Sequence, residues 1–348
     1  MSIHEVAKRA RVSIATVSRT INGVSTVAPQ LSRRVWKVIE ELGYYPNTQA
    51  RSLVSGRSRT FGLIVSEITN PFFPEIVQSF EDIAVQHNYE VLLTSTVHDP
   101  KRMALSVRRM IERRVEGVAI VTFGMEDALL EDLKSRNVPL VFIDVGPALP
   151  RISNIRIDYL HGVRQAVQHL AALRHERIAF ISGPLTLRSA AARQRAFSHS
   201  MEEIGLSVGP SYLIEGDHTM EGGIAAMRKL LALPNRPTAV ICSNDMTAMG
   251  AMRESYDQDV HIPRDLSVIG FDDIRLAQFV VPPLTTVRMS QTDIARLAFD
   301  ALLAEVQRKT PSPGGTEYTL RTALVLRHST AMVPKKPNRG KLKTSAAE

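Results

Sequence analysis

A single cysteine, Cys242, in 348 residues leaves no disulfide framework and no cysteine-based metal cluster. Such usage suits a reducing cytoplasm, where Cys242 reads as an ordinary buried strand residue. No run approaches the roughly 18 apolar residues that a membrane-spanning helix needs. The opening MSIHEVAKRA carries charge from position 4 and lacks the apolar core of a signal peptide. Aromatics are scarce at 5%, and the ten histidines fall at no metal-ligand spacing. The chain also lacks G-x-S-x-G, H-E-x-x-H, a Walker A loop and G-x-G-x-x-G. No enzymatic reading gains support, and no metal or cofactor is expected.

What is present is a 44% hydrophobic chain, long enough for two or three domains with sizeable cores. Its net charge of +8 is unevenly placed. Residues 1–60 hold ten Lys or Arg against Glu5, Glu40 and Glu41, or +7; residues 334–348 hold five against Glu348, or +4. The middle is therefore −3. A basic head on a mildly acidic body points to a polyanion met by the head, because phosphate neutralisation releases counterions. The bland alternative is a solvated basic surface.

The stretch Val6 to Asn22, VAKRARVSIATVSRTIN, sharpens that choice. Ile3, Val6, Ala7 and Ala10 recur at helical spacing, and Ser13 is placed to cap a second helix over about Ile14 to Asn22. The second helix buries Val17 and Ile21 and leaves Ile14, Ala15, Thr16, Ser18 and Arg19 outward. Small side chains let a helix lie deep in the major groove, where Arg19 can pair with guanine or phosphate. An ordinary helical hairpin is the alternative. A third helix, Ser32 to Leu42 and ended by Gly43, adds Val35, Val38, Ile39 and Leu42 to a shared core, with Trp36 and Tyr44 or Tyr45 as packing residues. Tyr44 to Thr60 then runs from a short helix capped by Asn47 into a Ser, Gly and Arg linker. Leu53 is out of place in that polar segment; it either docks on the body or wedges into DNA, as minor-groove binders do.

The head resembles the LacI/GalR family of bacterial transcription regulators through Val6 to Asn22, GYYPN (Gly43 to Asn47) and ARSL (Ala50 to Leu53). The resemblance extends through the body to about Thr330. It implies a homodimer on palindromic operator DNA. Ile14, Ala15 and Arg19 would read bases beside Thr16, Ala50 would lie in the minor groove, Leu53 would be the wedge, and Asn47 and Arg51 would hold phosphates.

The body supports this independently of any name. Seven apolar runs, at 61–67, 90–95, 117–122, 139–144, 177–182, 238–243 and 266–272, alternate with amphipathic segments. Continuous apolar strands between helices indicate parallel sheets covered on both faces. Ligands of such sheets bind beyond the strands' carboxyl ends, which here carry Asp144, Gly183, Asn244, Asp245, Asp272 and Asp273. The expected fold is α/β: an all-α helix-turn-helix head plus two doubly wound parallel-sheet subdomains, similar to periplasmic sugar-binding proteins. The expected limits are a head at 1–46, a hinge at 47–60 and a core at 61–333. Within the core, one subdomain takes 61–158 and 288–318 and the other 159–287 and 319–333; a basic tail fills 334–348.

NPFF, PTAVICSNDMTAMGA, VIGFDD and PPLTTV also match the family. They imply an effector pocket lined by Phe72 and Phe73 from the first subdomain and by Asp144, Ser189, Arg193, His218, Asn244 and Asp272. Asp144 and Asp245 could equally be strand-end caps. An Arg and an Asp across a cleft suit vicinal hydroxyls or a ring with donors and acceptors. ISGPL and RPTAVICSNDMTAMGA resemble the purine repressor branch. There Leu187 stands where that branch places a ligand-contacting Arg, and His218 replaces its stacking aromatic. A sugar or sugar acid is therefore the preferred effector. A plain solute-binding protein is the rival reading, but it has no use for Val6 to Leu53. Toward the C-terminus, Ser290 to Arg308 reads as a helix and Thr322 to Leu326 as a last strand. No leucine heptad follows, and the tail reads as a weak electrostatic DNA contact.

Overall fold

The computed structural model describes residues 2–21, 26–45, 57–97, 99–122, 127–144, 149–308 and 314–333. The hinge residues Asn47, Ala50, Arg51 and Leu53 and the basic tail lie outside them. Two compact units divide at Arg59 and Thr60.

In the first unit, α1 (Ile3–Ala10), α2 (Ile14–Ile21) and α3 (Pro29–Leu42) close around Val6, Ala7, Ala10, Val17, Val35, Val38 and Ile39. Arg11 turns the chain through a left-handed conformation, φ 51°, and Ser13 Oγ accepts the Thr16 N–H at 3.1 Å, capping α2 as its sequence suggests. Helix α3 begins at Pro29 rather than Ser32. Proline suits the first helical position because its missing N–H would have no partner there. Gly43 ends it at φ 56°. Trp36 does not pack as expected: it is 47% exposed, to one side of the buried stripe of Val35, Val38 and Ile39. Tyr44 packs against the head core, whereas Tyr45 is exposed.

The second unit holds two six-stranded sheets. The first has the order β11-β5-β4-β3-β1-β2 and is parallel throughout; the second, β12-β10-β9-β8-β6-β7, is parallel except where β12 meets β10. All seven apolar runs became strands: β1 (Thr60–Val65), β2 (Glu90–Ser95), β3 (Gly117–Val121), β4 (Leu140–Ile143), β6 (Ile178–Ser182), β8 (Ala239–Cys242) and β9 (Ser267–Asp272). Cys242 is buried in β8. Five more strands carry polar residues or sit at edges: β5 (Ile152–Asp158), β7 (Leu213–Glu215), β10 (Thr285–Arg288), β11 (Glu317–Arg321) and β12 (Ala323–Val325). β11 belongs to the first sheet, so the chain returns to the second after Arg321 and not after residue 318.

Helices alternate with these strands: α4 (Phe72–Gln86), α5 (Pro100–Glu112) and α6 (Asp127–Ser135) in the first subdomain, α7 (Tyr159–Ala172), α8 (Arg188–Glu203), α9 (Met220–Leu231) and α10 (Asp245–Asp257) in the second, then α11 (Gln291–Gln307) packed on the first sheet. The subdomains are joined where β5 runs into α7, β10 into α11 and β11 into β12. Thr322 ties two of these crossings, accepting the Gly162 N–H at 3.0 Å and donating to the Asp158 carbonyl at 2.7 Å. No helix among the described residues is long and apolar enough to cross a membrane.

Helices α9 and α10 touch through glycines. A Cβ on Gly250 would stand 2.0 Å from the Met220 carbonyl, and one on Gly223 2.2 Å from that of Thr247. Backbone cannot yield as a flexible side chain would, so Gly250→Ala should destabilise the body by about 1–3 kcal/mol. Thermal unfolding checks this; an unchanged melting temperature would contradict it.

Candidate DNA-reading helix and effector cleft

Helix α2 presents Ile14, Ala15 and Arg19 to solvent, with Ile14 41% exposed. Thr16 is half-buried, and its hydroxyl lies 2.9 Å from Ser13 Oγ in the cap. Val17 and Thr20 are buried and Ile21 partly so, which fixes the face the helix turns outward. The Thr20 hydroxyl donates to the Thr16 carbonyl at 2.8 Å and so needs no outside partner.

In the body, the strand ends of the second sheet converge on one buried cation. Arg193 reaches from the second turn of α8, is only 4% exposed, and lies between two rings, 4.2 Å from the Phe271 centroid and 5.2 Å from that of Tyr159. Its Nη1 donates to the Ser243 carbonyl at 2.6 Å, and Nη2 stands 3.7 Å from Asp272 Oδ1. Asp272 ends β9 with φ 107°, a left-handed backbone that aims its carboxylate away from the strand's regular path. Burial pushes the Asp272 carboxyl up to about 7; Arg193 opposes the rise and Glu75 adds to it. The pair is thus incompletely satisfied. Arg193 Nε, Asp272 Oδ1 and Ser189 Oγ are all buried without a hydrogen-bond partner among the described residues.

The remaining expected residues divide by role. Asp144, at the end of β4 with φ 59°, accepts the Ile157 N–H at 3.0 Å and adjoins the Tyr159 hydroxyl. Burial holds the Tyr159 phenol well above its ordinary value; Arg193 opposes that rise and Asp144 adds to it. His218 has φ 67° and its Nε2 lies 2.7 Å from Ser243 Oγ. Gly183 makes room for that ring, since a Cβ there would fall 2.0 Å from it. Asn244 is an N-cap: its Oδ1 accepts the Thr247 N–H at 2.8 Å and its Nδ2 donates to the His218 carbonyl at 2.9 Å. Asp245 is structural, accepting from Thr286 Oγ1 at 2.5 Å and from the Ile274 N–H at 2.9 Å. Phe72 and Phe73, in the first turn of α4, are buried edge to face with centroids 5.4 Å apart. Sequence reading missed Tyr159, Phe271, Ser243 and Glu75. Tyr159 follows the N-cap Asp158, so the strand-to-helix junction was its only signal.

Residues 2–47 match the model for bacterial regulatory proteins of the lacI family, and residues 167–330 match a periplasmic binding protein-like domain. Catabolite control protein A of Priestia megaterium is 34% identical over 311 residues, spanning 89% of this chain and 94% of the relative. The chain belongs to the LacI family. As a LacI-family protein it is a DNA-binding transcriptional repressor with an effector-binding body. The repressor PurR of Klebsiella pneumoniae (strain 342) is 33% identical over 335 residues, 96% of this chain and 98% of the relative. Among solved structures, the lac repressor dimer bound to operator and the anti-inducer ONPF superposes with a TM-score of 0.84 at 28% identity, covering 95% of this chain and 99% of the other. The cellobiose complex of the regulator CelR superposes at 0.70, with 28% identity over 94% and 99% of the two chains. In this LacI-family body, the buried Arg193 and Asp272 stand at the carboxyl ends of the strands, where open sheets bind ligands.

The Asp272 carboxyl is raised above its unfolded value. It therefore contributes stability fully present below the unfolded value near 4 and lost as pH rises through about 7. Melting profiles from pH 5 to 8 should diverge between the wild type and Asp272→Asn, the variant gaining relative stability as pH rises. Parallel profiles would contradict the assignment.

Proposed function

We propose that this chain is a homodimeric repressor whose operator affinity is set by a small hydroxyl-rich metabolite, of sugar or sugar-acid type, held between the core subdomains. One observation carries the effector reading: a buried donor (Arg193 Nε), a buried acceptor (Asp272 Oδ1) and a hydroxyl (Ser189 Oγ) left unpaired at one sheet edge. Leaving buried polar atoms unmade costs roughly 1–3 kcal/mol each, and adjacent ligand hydroxyls would satisfy all three. His218 adds a polar ring beside them, and Asp144 adds a carboxylate behind Tyr159. Asn244 acts through His218, and Phe72 and Phe73 close the first-subdomain side. Leu187 and His218 argue against a purine.

On DNA, Ile14, Ala15, Thr16 and Arg19 face the major groove. In the segment 47–60, Leu53 and Ala50 enter the minor groove while Asn47 and Arg51 hold phosphates. The same segment divides a head at 1–46 from the core at 61–333. A second copy would cover the groove of about 550 Å³ where Met252, Tyr256, Val260, Ile262, Val281 and Pro282 alternate with Asp257, Asp259 and His261, and where Tyr256 and Val281 are 78% and 92% exposed. The protein is read as cytoplasmic, associated with the nucleoid and without catalysis. Effector binding changes the relative orientation of the subdomains, hence the spacing of the two hinges, and DNA affinity changes by linkage.

Two experiments test this. Arg19→Ala should weaken binding to a selected palindromic operator by about 10- to 100-fold, roughly 1–3 kcal/mol, with little change on random DNA; an equal loss on both would reduce Arg19 to a phosphate contact. A thermal-shift screen against neutral sugars and sugar acids should yield a hit, worth about 2.7 kcal/mol at a hundredfold excess over Kd. Asp272→Asn should abolish that shift while preserving operator binding. Loss of both would mark Asp272 as structural instead.

A further inference from the structure

The turn that follows β9 is held against its own backbone preference. Asp272 and Asp273 both take positive φ, 107° and 59°, which L residues adopt only when their surroundings enforce it. Much of that enforcement comes from the second subdomain and the crossings. Asp245 Oδ2 accepts the Ile274 N–H at 2.9 Å, Gln291 Nε2 donates to the Asp272 carbonyl at 3.0 Å, and the Asp273 carboxylate receives Arg288 and Arg327 at 2.6 Å each. One anchor differs in origin. Glu75, in the first turn of α4, accepts the Arg275 N–H on its Oε1 at 2.9 Å. This bond spans 200 residues, joins the first subdomain to the turn, and uses no crossing segment.

We propose that Glu75 is a closure latch, whose carboxylate holds the first subdomain against the turn that presents Asp272 and so sets how readily the effector cleft closes. The proposal rests on the effector-cleft reading above. Three features carry it. The bond is made by protein atoms on both sides, so it favours the closed arrangement with or without effector, and an effector has only to supply the remainder of the closure energy. Its acceptor is a carboxylate, which strengthens the bond although it lies exposed to solvent. It also grips the turn three residues from Asp272, close enough for the Glu75 charge to add to the burial that raises the Asp272 carboxyl. Downstream, the 3-10 turn Arg275–Gln278 runs directly into Phe279, 63% exposed, and Val281 of the groove proposed to meet a second copy. The latched amide, the effector carboxylate and one wall of the proposed dimer face therefore lie on one short segment. Glu75 is a positioning residue in this scheme and is not assigned an effector contact.

The bond can be broken from either end with little collateral change. Glu75→Ala removes the acceptor and Glu75→Gln retains one. Arg275 opens a 3-10 turn, a first helical position where proline is tolerated, and Ile274 before it has φ −62° and ψ 152°, the extended backbone a following proline requires. Arg275→Pro thus removes the N–H, and Arg275→Ala controls for loss of the side chain. The full chain would be measured without added ligand by small-angle scattering and amide hydrogen exchange. Glu75→Ala and Arg275→Pro should each enlarge the radius of gyration, the double variant no further than either; Glu75→Gln, which keeps an acceptor without the charge, should fall between Glu75→Ala and the wild type, and Arg275→Ala should match the wild type. In Glu75→Ala the Arg275 amide should exchange at least roughly tenfold faster, reflecting loss of its bond. Unchanged dimensions in both disrupting variants, or additive expansion in the double, would overturn the latch. No effector enters the experiment, so its failure would leave the assignment of Arg193, Ser189 and Asp272 standing.

Discussion

Burying Arg193 beside Asp272 is the demanding act around which the second subdomain is arranged. Taking two charges out of water is expensive, and the attraction between them repays it only when the remaining donors and acceptors are also met. Here they are met in part. Phe271 and Tyr159 flank the guanidinium, the Ser243 carbonyl takes one of its N–H groups, and a left-handed Asp272 backbone brings the carboxylate to it. The Asp272 carboxyl rises toward 7 because burial outweighs the arginine's pull. A fold selected for stability alone would have filled this place with apolar side chains. One that keeps an unsatisfied pair at the strand ends of a two-subdomain body is what the proposed effector site requires.

Other features of the body serve the same edge. Gly183 leaves space for His218, Asn244 fixes the His218 carbonyl while capping α10, and Asp245 pins the turn after β9. The crossings tied by Thr322 bring the two sheets together at that edge. Motion between the sheets would then alter which of these groups meet, and that is the physical content of allosteric coupling in such a molecule.

Much of this was legible in sequence because its signals were periodic. Continuous apolar runs such as GVAIV and AVIC became central parallel strands, and Val6, Ala7, Ala10 and Val17 became the head core. What escaped lacked a period of its own. β5, reading ISNIRID, mixes Asn154 and Arg156 into a buried strand because it lies between β4 and β11, and β10 buries Thr285 and Thr286 through bonds to Ser329 and Asp245 that only the fold supplies. Helix α3 begins three residues before the expected Ser32, because Pro29 fits the first helical position and carries no apolar periodicity of its own. Trp36 was taken for core by residue type, yet its position on α3 sets it to one side of the buried stripe of Val35 and Ile39. In the site, Arg193, Ser189 and Asp272 were reached through family motifs. Tyr159 and Glu75 were not, since a tyrosine after a strand and a glutamate in a helical first turn have no distinguishing pattern until two subdomains bring them to one place.

The central claim is that the Arg193–Asp272 pair is retained for ligand response at the expense of stability. Thermal unfolding of the double variant Arg193→Met with Asp272→Leu, set against each single change, tests it most directly. Either single change should destabilise the body by about 3–5 kcal/mol, because it strands the other charge, whereas the double should equal or exceed the wild type. A double variant that loses as much as the singles together would show the pair to be a structural support, and the account of the effector site would fail with it.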